Sequence, residues 1–481
     1  MYNLAKSIIP KTGQQVTRLG FGSYRVSQPI HADALKRALQ NGINIIDTGN
    51  NFEKGASETL IGNTLHSMIQ SGELSRKSVT LVSKSGYLTT SELSTLDPQK
   101  DYVQLTEKSF HSVSPKVLER QIQTSLERLK TDKLDILMIN SPERMLMSKN
   151  RRYTPSQLYK DLSESFNYLD SLVAEGTIGG YGICSNTMAF PTAADHVSLK
   201  QVLESCSKPQ NLIAAQVPFN LYEKEAIVGH DRMDMTQTVA EFAKENDIYL
   251  MTNRPLNAIA NGQIRVLVNH ELGTDGRRPA EHEIISKMEK SFEVTGQLES
   301  DMMSELPIEE EALTAKFVWS QILSENLARL AQNHFATRHY LTQQVLPVLD
   351  KDLEQLNAYA NELESEQDLP AYQAWIEKYK KSVNELVHDI VDYAYIDTLR
   401  KNNELDRILN ALCPTLNDVP EDVYSGISVK ALRILLSHSQ VGTVFHGMRD
   451  PLYVKDATYA AQQEPLDQED LDDLWRCPIF T

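Results

Sequence analysis

Residues 43–69 read INIIDTGNNFEKGASETLIGNTLHSMI. The first seven residues carry three isoleucines and end in the polar group Asp47-Thr48-Gly49. A short apolar run of this kind is what a strand covered on both faces requires. After a turn, SETLIGNTLHSMI (57–69) spaces its apolar residues three and four apart, the period of a helix with one buried face. The segment is therefore one strand followed by one helix. Working outward, similar strand runs occur at RLGFGSYRV (18–26), VTLVSKSG (79–86), LDILMIN (134–140), GGYGICSN (179–186), LIAAQVPFN (212–220), IYLMTN (248–253) and VGTVFHG (441–447). Helical patterns separate them: HADALKRALQNG, SPKVLERQIQTSLERLK, TPSQLYKDLSESFNYLDSLVAEG, SLKQVLESC, MTQTVAEFAKEN and SVKALRILLSH. Ser114 before Pro115 and Thr154 before Pro155 each place a capping hydroxyl at N-cap and a proline at N1.

Eight strands alternating with helices predict an α/β fold, a closed (β/α)8 barrel with a parallel sheet. The alternation breaks after the seventh strand. Gly296 and Gly426 are consecutive glycines, and the sequence between them is rich in Leu, Glu and Gln. Leu349, Leu353, Leu356, Ala360 and Leu363 line one helix face there. Pro307, Pro347, Pro370 and Pro414 predict several helices rather than one rod. The expected division is 1–264 for the first part of the barrel, 265–427 for an all-helical insertion and 428–481 for barrel completion with an acidic tail. The insertion is expected to pack as a small bundle, with a partner-binding or self-associating role as the other reading. The run EPLDQEDLDDLW (464–475) is open to two readings, a solvated end, which is usual for a charge run, or a segment folded back on the barrel.

Composition excludes several classes. With 48 Lys+Arg against 65 Asp+Glu, the net charge of −17 repels nucleic acid and anionic membranes. Cys184, Cys206, Cys413 and Cys477 show neither CxxC spacing nor a neighbouring histidine, so neither a disulfide framework nor a zinc site is expected. His111, His196 and His446 show no ligand spacing and read as ordinary polar residues, and no metal is expected. The N-terminus lacks the features of an export or transit leader, and no apolar run is long enough to span a membrane. A cytoplasmic protein is expected.

Barrel chemistry sits where strands end. The polar residues at strand ends here are Asp47 and Thr48, Lys84, Asn140, Ser185 and Asn186, and Gln216 with Asn220. Asp47 and Lys84 are expected to pair, because a charge at a partly buried rim needs neutralising.

These motifs, from LGFGSYRV through IDTG…GASE, VSKSG, LDILMINSPE, IGGYGICSN, QVPFNLY and NRPL to VFHGMRD, resemble the aldo-keto reductase superfamily over nearly the whole barrel. The resemblance implies an NAD(P)H-dependent oxidoreductase whose catalytic set is an aspartate, a tyrosine about five residues later, a lysine and a histidine. Asp47 and Lys84 match, Phe52 stands in the tyrosine position and Asn140 in the histidine position. Loss of a positioned general acid costs about 10²- to 10⁴-fold, so ordinary carbonyl reduction should be impaired. Tyr24 at the substrate pocket, Tyr87, Lys84 itself or a water on Asn140 are the remaining proton carriers, and a quinone, reduced to a stabilised anion, would need the acid least. Ser185, Asn186 and Gln216 would hold the nicotinamide carboxamide. Asn253 stands where the family stacks an aromatic on the ring, and the adjacent Arg254 suits a pyrophosphate or an anionic substrate. VFHGMRDPLYVKDA (444–457) resembles the adenosine-phosphate segment, with Gly447, Arg449 and Asp456 at its polar positions. Arg449 favours a 2'-phosphate by charge, hence NADPH, with NADH open. The competing expectation is a catalytically impaired cofactor-binding or scaffold protein that binds a protein partner through the insertion.

Overall fold

The structure, a computed structural model, describes residues 3–229, 237–260, 263–269, 279–306, 308, 311–332, 334–362 and 368–480. The eight strands foreseen all form: β1 Leu19–Gly22, β2 Ile45–Asp47, β3 Thr80–Ser85, β4 Ile136–Asn140, β5 Tyr181–Cys184, β6 Leu212–Pro218, β7 Tyr249–Asn253 and β8 Thr443–Gly447. They close in sequence order into one parallel barrel, with β8 pairing β1 in the register Val444 to Leu19 and Gly447 to Gly22. Ile45, Val82, Ile136, Met138, Ile213, Tyr249, Met251 and Phe445 share one buried cluster, joined by Ile9 and Val16. The last two belong to an N-terminal hairpin, Lys6–Ile8 with Gln15–Thr17, that turns at Gly13. Gln14 Nε2 donates to Thr80 Oγ1 at 2.7 Å, so the hairpin lies against the N-terminal end of the barrel, away from the chemistry.

The barrel helices are α1 Pro29–Gln40, α2 Ala56–Gln70, α3 Pro115–Leu129, α4 Pro155–Glu175, α5 Leu199–Glu204, α6 Val239–Glu245, α7 Gly426–Ser437, α8 Pro451–Gln462 and α9 Gln468–Arg476. Ser114 and Thr154 accept from the backbone N–H of Val117 and Gln157, as their capping positions require. Of the pattern MTQTVAEFAKEN, Met235 and Thr236 lie outside the described residues. Between β3 and α3, Tyr87–Leu88, Val103–Thr106 and Ser109–His111 form a small antiparallel sheet.

The GASE motif has a packing cause. Gly55 has φ of +91°, and a Cβ on it would stand 2.2 Å from Arg128 Cζ. Gly62 lets α2 approach the α3 backbone, where a Cβ would meet Arg128 O at 2.1 Å. Arg128 Nη1 then donates to the fully buried Glu58 carboxylate at 3.2 Å and to Asn50 O. This fixes the β2 loop that carries Phe52.

Of the two readings of the acidic tail, the structure takes the folded-back one and not the solvated end. The tail forms α9, which buries Leu471, Leu474 and Trp475. Trp475 Nε1 donates to His438 Nε2 at 3.0 Å, and Lys224 Nζ donates to the Trp475 carbonyl at 3.0 Å. Its charges lie on one face and its apolar residues at helical spacing on the other, so burial overrides the charge run.

The chain divides into two compact units, Met1–Ala260 with Leu409–Thr481, and Asn261–Ile408. Residues 409–427 thus group with the barrel. Two short strands, Asn257–Ala260 and Gln263–Val266, flank the first boundary. The second unit is helical, its longest helices being Glu281–Glu305, Leu346–Glu362 and the 44-residue Leu369–Leu412, whose last four residues lie past the boundary at Ile408. Leu349, Leu353, Leu356 and Ala360 are buried as their spacing predicts, while Leu363 and Pro307 lie outside the described residues. Pro370 occupies the second residue of its helix, where a missing N–H is harmless, while Pro347 directly follows the π-helical turn Leu341–Val345, which interrupts the helical ladder at that point. The core of this unit includes Trp375, stacked on Tyr379 at 4.7 Å and edge-on to Phe317 at 5.4 Å. Among the described residues no helix is long and apolar enough to cross a membrane.

Candidate active site

The parallel register brings the C-terminal ends of β2, β3, β4, β5 and β6 to one rim, so side chains far apart in sequence meet there. Lys84 Nζ donates to Asp47 Oδ1, and its ammonium also lies 3.4 Å from Thr48 O. Both side chains are almost completely buried. An ion pair so deep is strongly coupled: losing either partner leaves an uncompensated charge. Gln216 Nε2 donates to the same Asp47 oxygen at 3.0 Å. The Gln216 carbonyl accepts from Asn253 Nδ2 at 3.0 Å and from the Cys184 thiol at 3.2 Å. Burial pushes that thiol up to about 12, which keeps it protonated and a donor.

Phe52 occupies the place next to this pair. Its ring centre lies 5.3 Å from Lys84 Nζ and 5.3 Å from the ring of Tyr24, which meets it edge-on at 82°. Tyr24 is 61% exposed at the open side, so the lining runs from solvent through Tyr24 and Phe52 down to Lys84. Asn140 ends β4, nearly buried. Ser141 Oγ donates to its Oδ1 at 3.3 Å.

Strained backbone gathers around this rim. Five of the seven non-glycine residues with positive φ among the described residues, Arg25, Glu53, Lys54, Ser141 and Arg254, lie in loops that follow β1, β2, β4 and β7. Each such residue costs about 1–3 kcal/mol and persists where the surrounding structure demands it, commonly at functional sites.

Ser185 and Asn186 follow β5 directly. Ser185 is fully buried and its Oγ lies 3.4 Å from Thr187 Oγ1. Asn186 donates from its side-chain and backbone nitrogens to Glu143 Oε1, at 2.9 and 3.2 Å. Glu143 is a site residue that sequence reasoning missed. The sequence marks only its place, three residues after Asn140, in SPE, on the same kind of strand-end loop, and not the direction of its side chain. Burial raises its pKa, partly countered by its hydrogen bonds to Asn186, and its Oε2 has no partner among the described residues. His111, read as an ordinary polar residue, is fully buried and its Nε2–H donates to Asn140 O at 2.7 Å. Burial pushes its pKa down to about 4, so it is a neutral support under Asn140. His196 bonds Thr187 O through Nδ1, and burial holds His446 neutral with a pKa of about 4.

Two residues expected at a cofactor are otherwise engaged. Arg254 Nη2 pairs with Glu223 at 2.8 Å. Asp456 accepts from the backbone N–H of Tyr424 and Ser425 at 2.9 and 2.7 Å, holding the start of α7. Gly447 is exposed, with open space where a Cβ would be, and Arg449 is half-buried two residues on. Asp450 caps α8 by accepting from Leu452 N. Among the described residues no three His, Cys, Asp or Glu side chains come together as a metal site.

A closed (β/α)8 barrel with a buried lysine–aspartate pair at the ends of β2 and β3 defines the class. The sequence profile of the aldo/keto reductase family matches residues 17–337, and the chain belongs to that family. It is 23% identical over 248 residues to the aldo-keto reductase YhdN of Bacillus subtilis (strain 168), a match covering 50% of this chain and 58% of that protein. It is 25% identical over 192 residues to the NADH-specific methylglyoxal reductase of Escherichia coli (strain K12), covering 38% and 50% respectively. The chain thus spans between half and three-fifths of these relatives. The solved structure of the aldo-keto reductase AKR11C1 from Bacillus halodurans superposes with a TM-score of 0.50 at 14% identity, covering 98% of this chain and 96% of that one, and speaks for the fold.

Proposed function

We propose that this chain is a cytoplasmic NAD(P)H-dependent oxidoreductase that reduces a small carbonyl or quinone, with Phe52 in place of the proton-donating tyrosine. The observation that carries the reading is the buried Lys84–Asp47 pair beside Phe52 and Asn140, on the strand-end rim of a barrel belonging to this family.

A nicotinamide cofactor supplies a hydride when bound. Its carboxamide needs both acceptors and donors, and the rim offers them: the buried oxygens Asn253 Oδ1 and Glu143 Oε2 have no partners among the described residues, and Ser185, Asn186 and Gln216 stand between them. The donor set therefore fits. Ser185, Asn186 and Gln216 hold the carboxamide, and Arg449 beside the open Gly447 holds the phosphate end. Asp47 holds the Lys84 side chain in a dry setting, where an ammonium stabilises negative charge on a substrate oxygen more strongly than in water. Asn140, braced by His111, orients that oxygen. The likeness to the NADH-specific Escherichia coli relative supports NADH, and the charge of Arg449 supports NADPH. A reducing compartment is consistent with four unpaired cysteines, three of them buried.

A second reading, a cofactor-binding or scaffold protein with a partner on residues 265–427, is favoured by Phe52 and by Gln216, whose amide atoms are both bonded within the protein. Fluorescence titration with NADPH and NADH separately distinguishes the two. Saturable binding that weakens in Asn186→Ala is expected. Binding of neither cofactor would refute the oxidoreductase reading and leave the scaffold.

A further inference from the structure

The rim holds one arginine whose setting the catalytic reading does not use. Arg144 lies in the turn Pro142–Met147 that follows β4, four residues after Asn140, and is half-buried. A guanidinium carries five N–H donors and is desolvated at a cost unless acceptors surround it. Among the described residues Arg144 has two side-chain contacts of hydrogen-bond length: Nε with the Tyr87 hydroxyl oxygen at 3.3 Å, and Nη1 with the Met147 sulfur at 3.3 Å. A phenol oxygen and a thioether are weak acceptors. Three other arginines of this unit have stronger acceptors: Arg128 has Glu58, Arg254 has Glu223, and Arg18 has two backbone carbonyls. The neighbouring Glu143 turns its Oε1 to Asn186 instead.

Tyr87 helps to raise the pKa of Arg144, as do Glu143 and Asp195, which attract it through space, but neither carboxylate bonds it directly among the described residues. The position is as telling as this sparse direct bonding. Tyr87 follows β3, which carries Lys84, and Arg144 follows β4, which carries Asn140. The two strands are paired, with Lys84 opposite Met138 and Ser85 opposite Ile139. Tyr87 packs edge-on against His111 at 5.1 Å, and His111 is bonded to Asn140 O. The Tyr87–Arg144 pair therefore stands on the same arc of the mouth as the residues that would hold the reacting oxygen.

We propose that Arg144 recognises an anionic group and that the substrate of this site is a small carbonyl compound carrying a carboxylate or a phosphate. This rests on the oxidoreductase reading above. The planar fork of arginine matches two oxygens of either group, and Tyr87 fixes one edge of the fork while its Nη2 stays available. The anion adds direct, charged acceptors to a guanidinium whose hydrogen bonds among the described residues reach only a phenol and a thioether.

The test compares matched neutral and anionic carbonyls on the full chain: glyoxal with glyoxylate, and glyceraldehyde with glyceraldehyde 3-phosphate. Cofactor affinity is measured first by fluorescence, so failure of the oxidoreductase reading appears there and separately. Calorimetric binding of glyoxylate and of glyceraldehyde 3-phosphate, with and without oxidised cofactor, then reads the anion site without turnover. Loss of a charge-assisted bond predicts that Arg144→Met lowers the anionic-to-neutral preference about 10- to 100-fold, with Arg144→Lys intermediate. Thermal melting of each variant checks that it is folded. Selective loss for glyoxylate identifies a carboxylate, and for glyceraldehyde 3-phosphate a phosphate. An unchanged preference in folded Arg144→Met, or wild-type binding of neither anion, overturns the proposal.

Discussion

Phe52→Tyr puts the missing phenol back. The added oxygen stands about 2.8 Å from the ring centre, and Lys84 Nζ lies 5.3 Å from that centre. Because Nζ lies over the ring, the gap is about 6 Å when the cation stands directly above the centre and reaches hydrogen-bond range as the flexible lysine leans toward the new hydroxyl. The hydroxyl then gains an ammonium partner in a dry site, and the phenol acquires a cation that lowers its pKa. A positioned general acid contributes about 10²- to 10⁴-fold, or roughly 3–5 kcal/mol of barrier. The assay is kcat/KM for methylglyoxal and for a quinone, following the loss of the reduced cofactor. The gain should fall on methylglyoxal and be small for the quinone, whose reduced form is a stabilised anion. An equal rate in wild type and variant, with cofactor affinity intact in both, would refute the placement of Lys84 and Asn140 at the reacting oxygen.

Three further outcomes follow from buried charge and packing. Lys84→Met leaves the Asp47 carboxylate buried with only Gln216 to serve it, and should cost about 3–5 kcal/mol of stability in denaturant unfolding; the double variant with Asp47→Leu should recover most of that, and a loss below about 1 kcal/mol would contradict a tight buried pair. Burial holds Glu143 protonated above its ordinary 4.5, so the native state carries the extra proton and stability falls as pH rises from 4.5 through the raised value. Glu143→Gln should flatten that fall in melting temperature against pH, and identical slopes would mean that the carboxyl is ionised when folded. Trp475→Ala should cost about 3 kcal/mol or more and expose α9 to limited proteolysis, whereas an unchanged digest would return the tail to solvent.

The strands were legible because burial on both faces leaves little choice of residue: runs such as LDILMIN fit nothing else at that length. The polar residues at their ends followed from the parallel arrangement alone, which puts Asp47, Lys84, Asn140, Ser185 and Gln216 on one rim. What stayed hidden lies in the loops. Glu143 and Arg144 are three and four residues past a strand end, and no periodicity says which way a turn residue faces once Ser141 enters the left-handed region. His111 was opaque because its role depends on the small sheet between β3 and α3, whose pairing has no local signal. Asp456 belongs to a sequence segment that resembles a phosphate site, yet the backbone N–H groups of Tyr424 and Ser425 claim it. The tail's charge kept the solvated reading open, since a helix hides apolar residues that a linear count dilutes.

The late return of β8 fixes the order in which the barrel is completed on the ribosome. About 190 residues separate Asn253, the end of β7, from Thr443, the start of β8. At a synthesis rate of about 5–20 residues per second, the nascent chain waits roughly 10–40 s between making its seventh strand and its eighth. During that interval β1 and β7 have no neighbour on the side that β8 will fill, and each is an open edge able to pair with another chain. The helical unit, with its own core, emerges within this window and is made in full before the barrel closes. A chain stalled or cleaved before residue 443 would keep every residue of the rim from Asp47 to Asn253 and still lack the strand that joins the two edges.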